Sequence, residues 1–309
     1  MQGPVIHYLY LGRVEYAEGL RLQAEMVNLR FEGRVGNVLL LLEHPSVLTL
    51  GRNANRANIL ASSQILQSRG VTLHDINRGG DVTWHGPGQL VGYPIFNLRE
   101  MRNPATGSRL GPVDFVRLME EGLIRLCAEF GVTAERICGL TGVWCRPPGL
   151  DSFDERCGTK KATDPPAGER KVGAIGIHVS RGITSHGFAF NVTTDLDGFA
   201  LINPCGITDR PVTSLEREIA QAGKTAPAST LELESLAQRV AVQFGHVFEQ
   251  PVEVADGLAA LDDSLSEIAQ RISDAQATVS QSGQFVGVPL KVPRQIGQLQ
   301  QRREPPVRA

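Results

Sequence analysis

The densest group of residues that could do chemistry lies at 78–93, RGGDVTWHGPGQLVGY. Five glycines among these sixteen residues cannot build a helix, but they let the backbone adopt positive φ and approach a ligand closely. Hydrogen-bond donors and acceptors come from four side chains, Arg78, Thr83, His85 and Gln89. Extended segments at 71–77 and 90–98 predict strands that would hold the stretch rigidly. The pattern indicates either a binding loop or a glycine-rich β-hairpin with polar side chains.

The glycine spacing does not match the common nucleotide-binding loops. A P-loop needs Gly-Lys-Ser/Thr followed by a helix, and neither follows this stretch. A dinucleotide fingerprint needs a helix N-terminus for the pyrophosphate, and the pattern predicts no helix in position to supply one. Both kinds of nucleotide site are therefore excluded for residues 78–93.

Residues 78–89 do match a known pattern. RGGDVTWHGPGQ resembles the R-G-G-x-x-T-aromatic-H-x-P-G-Q signature of the lipoyl(octanoyl) transferases, so residues 78–93 are called the signature stretch below. Shorter matches are EHP at 43–45, KVGAIG at 171–176, HGFA at 186–189, and CG at 205–206 with TSL at 213–215. The resemblance covers about residues 5–248. It implies an α+β fold in which helices flank a mixed β-sheet, as in the biotin and lipoate protein ligases.

The resemblance also implies a cysteine nucleophile and a lysine partner. Cys205, in NPCG at 203–206, matches the family's acylated cysteine, and Lys171 matches its catalytic lysine. A free thiol has a pKa of about 8.5, and a nearby ammonium favours the thiolate that attacks a thioester. Taken alone, Cys205 could instead be a buried apolar residue, and Lys171 a solvated residue at the start of a strand.

Substrate contacts are implied at three places. The signature stretch supplies Arg78, Gly79, Gly80, Asp81, Val82, Thr83, Trp84 and His85. The two later motifs supply Ala174, Ile175, Gly176, Gly187, Phe188 and Ala189. Their small and apolar side chains could form a slot for a medium-length acyl chain, although ordinary strand packing would explain the same residues. Asp81 occupies a variable position of the signature and has no individual role, and His44 and His186 are expected to be structural.

Helices and strands alternate irregularly along the chain, which favours an α+β or mixed α/β fold over a regular doubly wound sheet. Apolar periodicity predicts helices at 16–30, 59–69, 113–130, 230–248 and 258–275. Strands are predicted at 5–11, 38–42, 47–50, 132–135, 142–144, 171–180 and 183–192. Thr230 is the expected N-cap of its helix, and Arg181 and Gly182 the turn of a hairpin.

Composition is that of an ordinary globular chain, with 41% hydrophobic and 21% charged residues. A net charge of −2 argues against broad nucleic-acid binding. No apolar run approaches the length of a membrane span, so the expected location is cytoplasmic. Five cysteines show neither zinc-ligand spacing nor a Cys-x-x-Cys pair, and no metal is expected.

Two segments depart from the family pattern. Residues 146–170 are polar, contain four prolines and predict a long surface loop. Residues 251–309 follow the expected catalytic domain at 1–250 and are predicted to be partly helical and then disordered from 292. Neither departure touches a residue with an implied chemical role.

The function implied by the resemblance is transfer of an octanoyl group to a lysine of lipoyl domains. The donor would be octanoyl-acyl carrier protein, and the acceptors the E2 subunits of 2-oxoacid dehydrogenases and the glycine cleavage H protein. No cofactor is needed, because a thioester is already activated. Three alternatives stay open: an ATP-dependent lipoate or biotin ligase, an amidotransferase between lipoyl domains, and a catalytically silent lipoyl-domain binder. Arg52, Arg56 and Arg78 are candidate contacts for an acidic carrier protein.

Overall fold

An eight-stranded mixed sheet forms the centre of the protein in a computed structural model that describes residues 5–137, 139–146, 168–203 and 210–282. The strand order is β11-β1-β2-β6-β10-β9-β8-β7, and only the β11-β1 and β1-β2 pairs are parallel. The strands are β1 Ile6–Arg13, β2 Asn37–Glu43, β6 Gln89–Ile95, β7 Ala134–Ile137, β8 Leu140–Cys145, β9 Arg170–Ser180, β10 Ile183–Asn191 and β11 Val252–Val254. A smaller sheet has the order β4-β3-β5, with β3 Val47–Leu50, β4 Thr72–Asp75 and β5 Val82–His85.

Helices cover both faces of the large sheet. They are α1 Tyr16–Glu32, α2 Ser63–Ser68, α3 Pro112–Glu129, α4 Leu215–Gln221, α5 Leu233–Phe248, α6 Leu258–Leu261 and α7 Ser266–Ser282. One apolar core joins α3 and α5 to the sheet, and a second joins α1 and α7 to the opposite face. The predicted mixed sheet flanked by helices is therefore confirmed. No helix within the described ranges is long and apolar enough to cross a membrane.

Strand β2 shows why the apolar run at 38–42 predicts a strand buried on both faces. Leu39 and Leu41 lie in the core under α3 and α5, whereas Leu40 and Leu42 lie in the core under α1. Alternate side chains of a strand point to opposite faces, so an uninterrupted apolar run suits a strand that is covered on both sides.

Two predicted helix starts are wrong, and local hydrogen bonds explain both. Helix α5 begins at Leu233 rather than Thr230, because the Thr230 hydroxyl donates to the Pro227 carbonyl at 2.7 Å within a separate turn. Helix α2 begins at Ser63 rather than at 59, because Ile59 pairs with Ile202 in an isolated bridge. In each case the residue is bonded to a neighbouring segment, and helical periodicity carries no information about such a bond.

The signature stretch does not form a hairpin, so that reading is wrong. Its first part ends in β5, which pairs with β3 in the small sheet, and its second part is β6 in the large sheet. Gly88, at φ +77, lies between the two strands where the chain passes from one sheet to the other. The predicted hairpin is confirmed instead at β9 and β10, whose turn residues Arg181 and Gly182 both have positive φ.

The described part of the segment after residue 250 joins the same sheet. Strand β11 extends it beside β1, and α7 packs Ile268 and Ile272 into the core that α1 also covers. The Gln276 amide donates to the carbonyls of Leu11 and Arg13 at 2.7 and 3.0 Å. The division into domains at 250 stays a prediction. Most of the predicted loop at 146–170, and all of the predicted disorder from 292, lie outside the described residues.

Candidate active site

A cleft of about 480 Å³ opens between the signature stretch, β9, β10, the start of β8 and the first turn of α3. Most of the predicted substrate-binding residues line it, namely Arg78, Gly79, Gly80, Thr83, His85, Ala174, Ile175, Gly176, Gly187, Phe188 and Ala189. Lys171 lines it as well. The fold therefore brings the signature stretch and two motifs that lie about a hundred residues later in the sequence to a single cavity.

Pairs of glycines allow two backbone segments to pack directly against each other around this cleft. A Cβ on Gly176 would overlap the carbonyl oxygen of Gly79, and one on Gly187 would overlap that of Gly92. A Cβ on Gly51 would likewise overlap the carbonyl oxygen of Gly80. The contact between Gly176 and Gly79 holds the start of the signature stretch directly on β9, where the N–H of Gly79 donates to the Ile177 carbonyl at 3.0 Å.

Three predicted contact residues do not line the cleft. Val82 and Trp84 point into a small core, where the Trp84 ring packs edge-on against Phe199 with centroids 5.3 Å apart. Asp81 accepts from the backbone N–H of Asn55 at 2.9 Å and from the side chain of Asn58. These residues fasten the signature stretch to the segment before it, while their neighbours face the cavity.

Gln89 fixes the orientation of the imidazole of His85. The Gln89 amide nitrogen donates to the Trp84 carbonyl at 3.3 Å and to Asn191 Oδ1 at 2.9 Å. A carbonyl can only accept, so the Gln89 oxygen must face His85 Nδ1, which lies 2.8 Å away. His85 therefore carries its proton on Nδ1, and its Nε2 is the acceptor.

The chain of hydrogen bonds continues from His85 to the guanidinium of Arg78. Thr49 Oγ1 lies 3.4 Å from His85 Nε2 and accepts from Arg78 Nη2 at 3.0 Å. Burial, followed by the charge of His44, lowers the pKa of His85 to about 3, so its imidazole is neutral near pH 7. A neutral ring is the form that this donor and acceptor arrangement requires.

In the other direction the chain reaches the segment that follows Cys205. Asn191 Nδ2 donates to the Thr213 carbonyl at 2.9 Å, and the Thr213 N–H donates to the Lys171 carbonyl at 2.9 Å. Lys171 in turn donates its own N–H to the Pro211 carbonyl at 2.9 Å. One polar network therefore connects Arg78 in the signature stretch to the backbone of the predicted catalytic lysine.

His186 contacts the cleft in an unusual backbone conformation. Its φ of +56 lies in the left-handed region, and its N–H donates to Gln23 Oε1 at 2.7 Å. Its ring nitrogen Nε2 lies 2.6 Å from Asn77 Oδ1, next to the start of the signature stretch. Burial and then the charge of Arg78 lower the pKa of His186 to about 3. His186 lines the cleft, where sequence reasoning expects only a structural residue.

Aromatic residues that sequence reasoning missed also line the cavity. Tyr16 of α1 and Tyr93 of β6 face it, and Tyr93 O–H donates to His44 Nε2 at 2.6 Å while His44 Nδ1 donates to the Val14 carbonyl at 2.6 Å. Burial lowers the pKa of His44 to about 4, which agrees with this neutral tautomer. Tyr16 lies on a helix with one buried face and Tyr93 on a strand that is buried along its whole length, and no local motif separates either from ordinary core residues.

Residues of α3 and β8 were missed for the same reason. The additional lining residues are Pro112, Val113, Val116, Arg117, Leu140 and Thr141. Val113 is two-thirds exposed, at 66%, which is unusual for an apolar residue in the first turn of a long helix. This exposure is visible only in the fold, and no signal in the sequence separates these residues from the rest of α3 and β8.

The ammonium of Lys171 lies in the cleft wall. The residue is 7% exposed, and its Nζ stands 4.8 Å from the centroid of the Trp144 indole. Cys205, the predicted nucleophile, belongs to residues 204–209, which lie outside the described residues. The described chain on either side is anchored, since Asn203 donates its N–H to the Asn58 carbonyl at 2.7 Å and Pro211 accepts from Lys171.

The three arginines expected to meet a carrier protein have different environments. Arg78 is buried, and Arg56 forms two hydrogen bonds with the carboxylate of Asp75 at 2.8 and 2.9 Å. Arg52 is exposed beside the signature stretch, where its backbone N–H donates to the Arg78 carbonyl at 3.0 Å. Of the three, Arg52 alone presents an exposed guanidinium with no hydrogen-bonded carboxylate among the described residues.

Comparison with known proteins gives the family. Residues 15–245 match the lipoyl protein ligase A/B catalytic domain. An octanoyltransferase of Acidobacterium capsulatum is 52% identical over 267 residues, which cover 84% of this chain and 100% of that protein. An octanoyltransferase of Koribacter versatilis is 46% identical over 248 residues, which cover 80% of this chain and 86% of that protein.

Solved structures share the fold at low identity. A lipoate-protein ligase A bound with ATP superposes with a TM-score of 0.58 at 16% identity, covering 89% of this chain and 95% of that one. A bipartite lipoate protein ligase of Thermoplasma acidophilum, studied with its E2 lipoyl domain, gives a TM-score of 0.52 at 14% identity and covers 94% and 100%. The fold matches the ligases and the sequence matches the transferases, and the chain belongs to the octanoyltransferases of the lipoyl protein ligase A/B catalytic-domain family.

Proposed function

We propose that this protein is an octanoyltransferase that moves an octanoyl group from a thioester donor to a lysine of lipoyl domains. The observation that carries the proposal is the identity of 52% over 267 residues with an octanoyltransferase whose whole length is matched. The cleft agrees with it, because the three motifs of the resemblance line one cavity with a lysine in its wall.

The reaction we propose has two steps at Cys205. The Cys205 thiolate attacks the thioester carbonyl, a new C–S bond forms, and the C–S bond to the donor breaks. The donor leaves as a thiolate that takes a proton from the Lys171 ammonium or from the solvent. The amine of the acceptor lysine then attacks the acyl-Cys205, a C–N bond forms, and the C–S bond to Cys205 breaks. The proton lost by the amine returns to the neutral Lys171 amine or goes to the solvent, and the Cys205 thiolate is restored. Neither step uses ATP or a metal.

Lys171 suits the role of stabilising the thiolate of Cys205. No carboxylate within the described ranges forms an ion pair with its ammonium, so its positive charge is not cancelled at the cleft. Its backbone is tied to Pro211 and Thr213, which follow Cys205 by six and eight residues. Six residues of extended chain span at most about 20 Å, and this connection limits how far Cys205 can lie from Lys171.

Backbone N–H groups could stabilise the tetrahedral oxyanion of both steps. Gly79 and Gly80 of the signature stretch and Gly176 of β9 line the cleft, and they carry no side chain that would keep a substrate from the backbone. Each well-placed donor of this kind is worth about 3 kcal/mol in acyl-transfer enzymes.

The proposed donor is octanoyl-acyl carrier protein, and the proposed acceptors are lipoyl domains of E2 subunits and of the glycine cleavage H protein. The Thermoplasma acidophilum neighbour is a lipoate ligase described together with its E2 lipoyl domain, which supports lipoyl domains as the acceptor class. Arg52 is the candidate contact for an acidic donor, since its guanidinium is exposed beside the cleft. The cytoplasmic location stays a prediction.

Intact-mass spectrometry with octanoyl-acyl carrier protein and no acceptor tests the mechanism. The unaltered chain should gain one octanoyl group on Cys205, and adding an apo lipoyl domain should remove it. Cys205→Ser should gain none. An octanoyl adduct that forms equally on Cys205→Ser would show that another residue is the nucleophile.

An ATP-dependent ligase is the second candidate, because the neighbours that share the fold include a lipoate-protein ligase bound with ATP. A ligase would attach free octanoate to a lipoyl domain only when ATP is present, and it would not need Cys205. Turnover of free octanoate with ATP by Cys205→Ser would favour the ligase. An amidotransferase would use an octanoylated lipoyl domain as its donor, so donor preference separates it from both.

A further inference from the structure

Among the residues that the structure describes, Lys171 contacts an aromatic ring and forms no ion pair with a carboxylate. Trp144 and Lys171 are cross-strand partners on β8 and β9, which places their side chains next to each other on one face of the sheet. The Lys171 Nζ lies 4.8 Å from the centre of the indole, within the range of a cation–π contact. The aliphatic part of Lys171 also passes close to Gly142, which has no side chain to displace it.

The indole of Trp144 is itself fixed. The residue is 1% exposed, and its Nε1–H donates to the Leu140 carbonyl at 3.2 Å. A buried ring with its only donor satisfied has one orientation available, so the face it presents to Lys171 does not change. The contact is therefore built by the strand and does not depend on a mobile surface residue.

A buried carboxylate holds the strand that carries Trp144. Glu120 of α3 is fully buried, and its Oε1 accepts the backbone N–H of Gly142 at 2.9 Å. Its other oxygen accepts from Arg117 at 2.7 Å and lies 3.3 Å from Arg136 Nε. Gly142 lies close to the Lys171 side chain, and its N–H is bonded to Glu120 of α3. Helix α3 therefore fixes the position of β8 relative to the lysine.

We propose that Trp144 is a positioning residue, whose indole face holds the ammonium of Lys171 in the wall of the cleft without neutralising it. A carboxylate in the same place would cancel the charge that a thiolate or an oxyanion needs. An aromatic face attracts the cation through its quadrupole and leaves it a full positive charge. This inference rests on the proposed function, in which Lys171 acts on Cys205.

The contact is tested first by NMR on the full chain. The sequence has only five lysines, at 160, 161, 171, 224 and 291, so selectively 13C-labelled lysine gives a spectrum that can be assigned. The ring current of Trp144 should move the ε-CH2 resonance of Lys171 upfield of the other four, and Lys171→Met identifies that signal by its loss. Trp144→Phe should keep part of the displacement, and Trp144→Leu should abolish it.

The consequence is tested by the pH profile of Cys205 alkylation by iodoacetamide, read on the peptide that contains Cys205. At pH 7, Trp144→Leu should lower the rate about three- to tenfold, which is the range expected for a partly buried cation–π contact. Trp144→Phe should recover part of the rate. Phe248→Leu, which removes a buried ring that packs against Phe96, Phe115 and Phe244, is the matched control for loss of stability and should leave the profile unchanged.

Two results would overturn the inference. One is a Lys171 resonance that is not displaced, or that stays displaced in Trp144→Leu. The other is a Trp144→Leu profile equal to that of the unaltered chain while Lys171→Met is slowed. If Lys171→Met also leaves the alkylation profile unchanged, the proposed role of Lys171 toward Cys205 fails, and the resonance alone then decides whether Trp144 positions the lysine.

Discussion

Two charged or polar side chains at the cleft show what residue identity can and cannot predict. Lys171 could be named from its KVGAIG context, but its contact with Trp144 depends on how β8 and β9 pair. Gln89 could be named only as part of a motif. Its role as the link between His85 and Asn191 requires the register of β10 beside β6. Sequence context identifies the reactive group, whereas pairing of distant strands supplies its partners.

Replacing Lys171 should slow acylation of Cys205. The proposed mechanism puts the Lys171 ammonium beside the Cys205 thiol, so Lys171→Ala should raise the pH needed to form the thiolate and slow the first step at neutral pH. Rapid-quench mass spectrometry of the octanoyl adduct at several pH values checks this, and the deficit should shrink as the pH rises. A deficit that is the same at every pH would count against an electrostatic role.

Replacing Gln89 by leucine should destabilise the protein. Gln89 is 1% exposed, and the change leaves the Nδ1–H of His85 and the Oδ1 of Asn191 without their buried partner. The expected loss in the free energy of unfolding is about 2–5 kcal/mol, measured by urea denaturation. Gln64→Leu, on the exposed surface of α2, makes the same chemical change and should shift stability by less than about 0.5 kcal/mol.

At the scale of elements, the strong periodic patterns predicted α1, α3, β2 and the β9–β10 hairpin correctly. The signature stretch was harder, because its two strands belong to different sheets and local sequence carries no information about which neighbour a strand will choose. The early limits of α2 and α5 failed because Ile59 pairs with a segment near 202 and Thr230 bonds to Pro227. Tertiary pairing and local turns decided both boundaries.

The contact between Gly51 and the signature stretch can be tested directly. In Gly51→Ala the new Cβ would overlap the carbonyl of Gly80, which cannot move without shifting a wall of the cleft. Overpacking of this kind costs about 1–3 kcal/mol, and we expect slower acylation as well. Gly70→Ala introduces strain at φ +64 but meets no atom within 4 Å, so it should cost stability and leave acylation at its normal rate.

Across the whole molecule, apolar cores lie on opposite faces of the large sheet, and α7 packs into one of them without lining the cleft. The core under α1 includes residues of α7, and no residue of α7 lines the cleft. The resemblance could not predict this arrangement, because it ends near residue 248. The described part of the segment after 250 is an integral layer of the fold, and its effect on activity should come only through stability.

Substitution of α7 should therefore reduce stability and spare the reaction. Ile272→Ala removes a side chain that is buried against the sheet, and the expected loss is about 2–5 kcal/mol in the free energy of unfolding. Calorimetry measures the loss, and acylation below the unfolding temperature should be unchanged. Val242→Ala, at an exposed position of α5, is the control and should leave the unfolding temperature close to that of the parent.

Stability should also fall as the pH is lowered. Burial holds the pKa of His85 and His186 at about 3 and that of His44 at about 4, whereas an unfolded histidine titrates near about 6.5. Below about pH 6.5 the unfolded chain binds protons that the folded chain does not, so the stability contributed by these neutral rings is lost as the pH falls toward 3–4. By pH 5 each should account for about 2 kcal/mol.

Urea denaturation at pH 7 and pH 5 measures how steeply the free energy of unfolding depends on pH. His44→Gln should flatten this dependence, because one of these proton-binding differences disappears, even though the variant is less stable at pH 7. His246→Gln, at an exposed position, should leave the slope as it is. Equal slopes for His44→Gln and the unaltered chain would mean that His44 does not stay neutral in the folded state.

In the proposed function the octanoyl chain occupies the cleft, and the glycine pairs there then determine which positions could be changed to accept other fatty acyl chains. Where Gly176 contacts Gly79 and Gly187 contacts Gly92, the wall of the cavity is main chain. No side chain can be shortened there, and a larger one would overlap a carbonyl oxygen. Redesign of chain-length preference has to begin at residues that carry removable bulk, such as Val91 and Val116. A mutant library that keeps the glycines and varies these two valines would sample substitutions at positions where the fold can accept them.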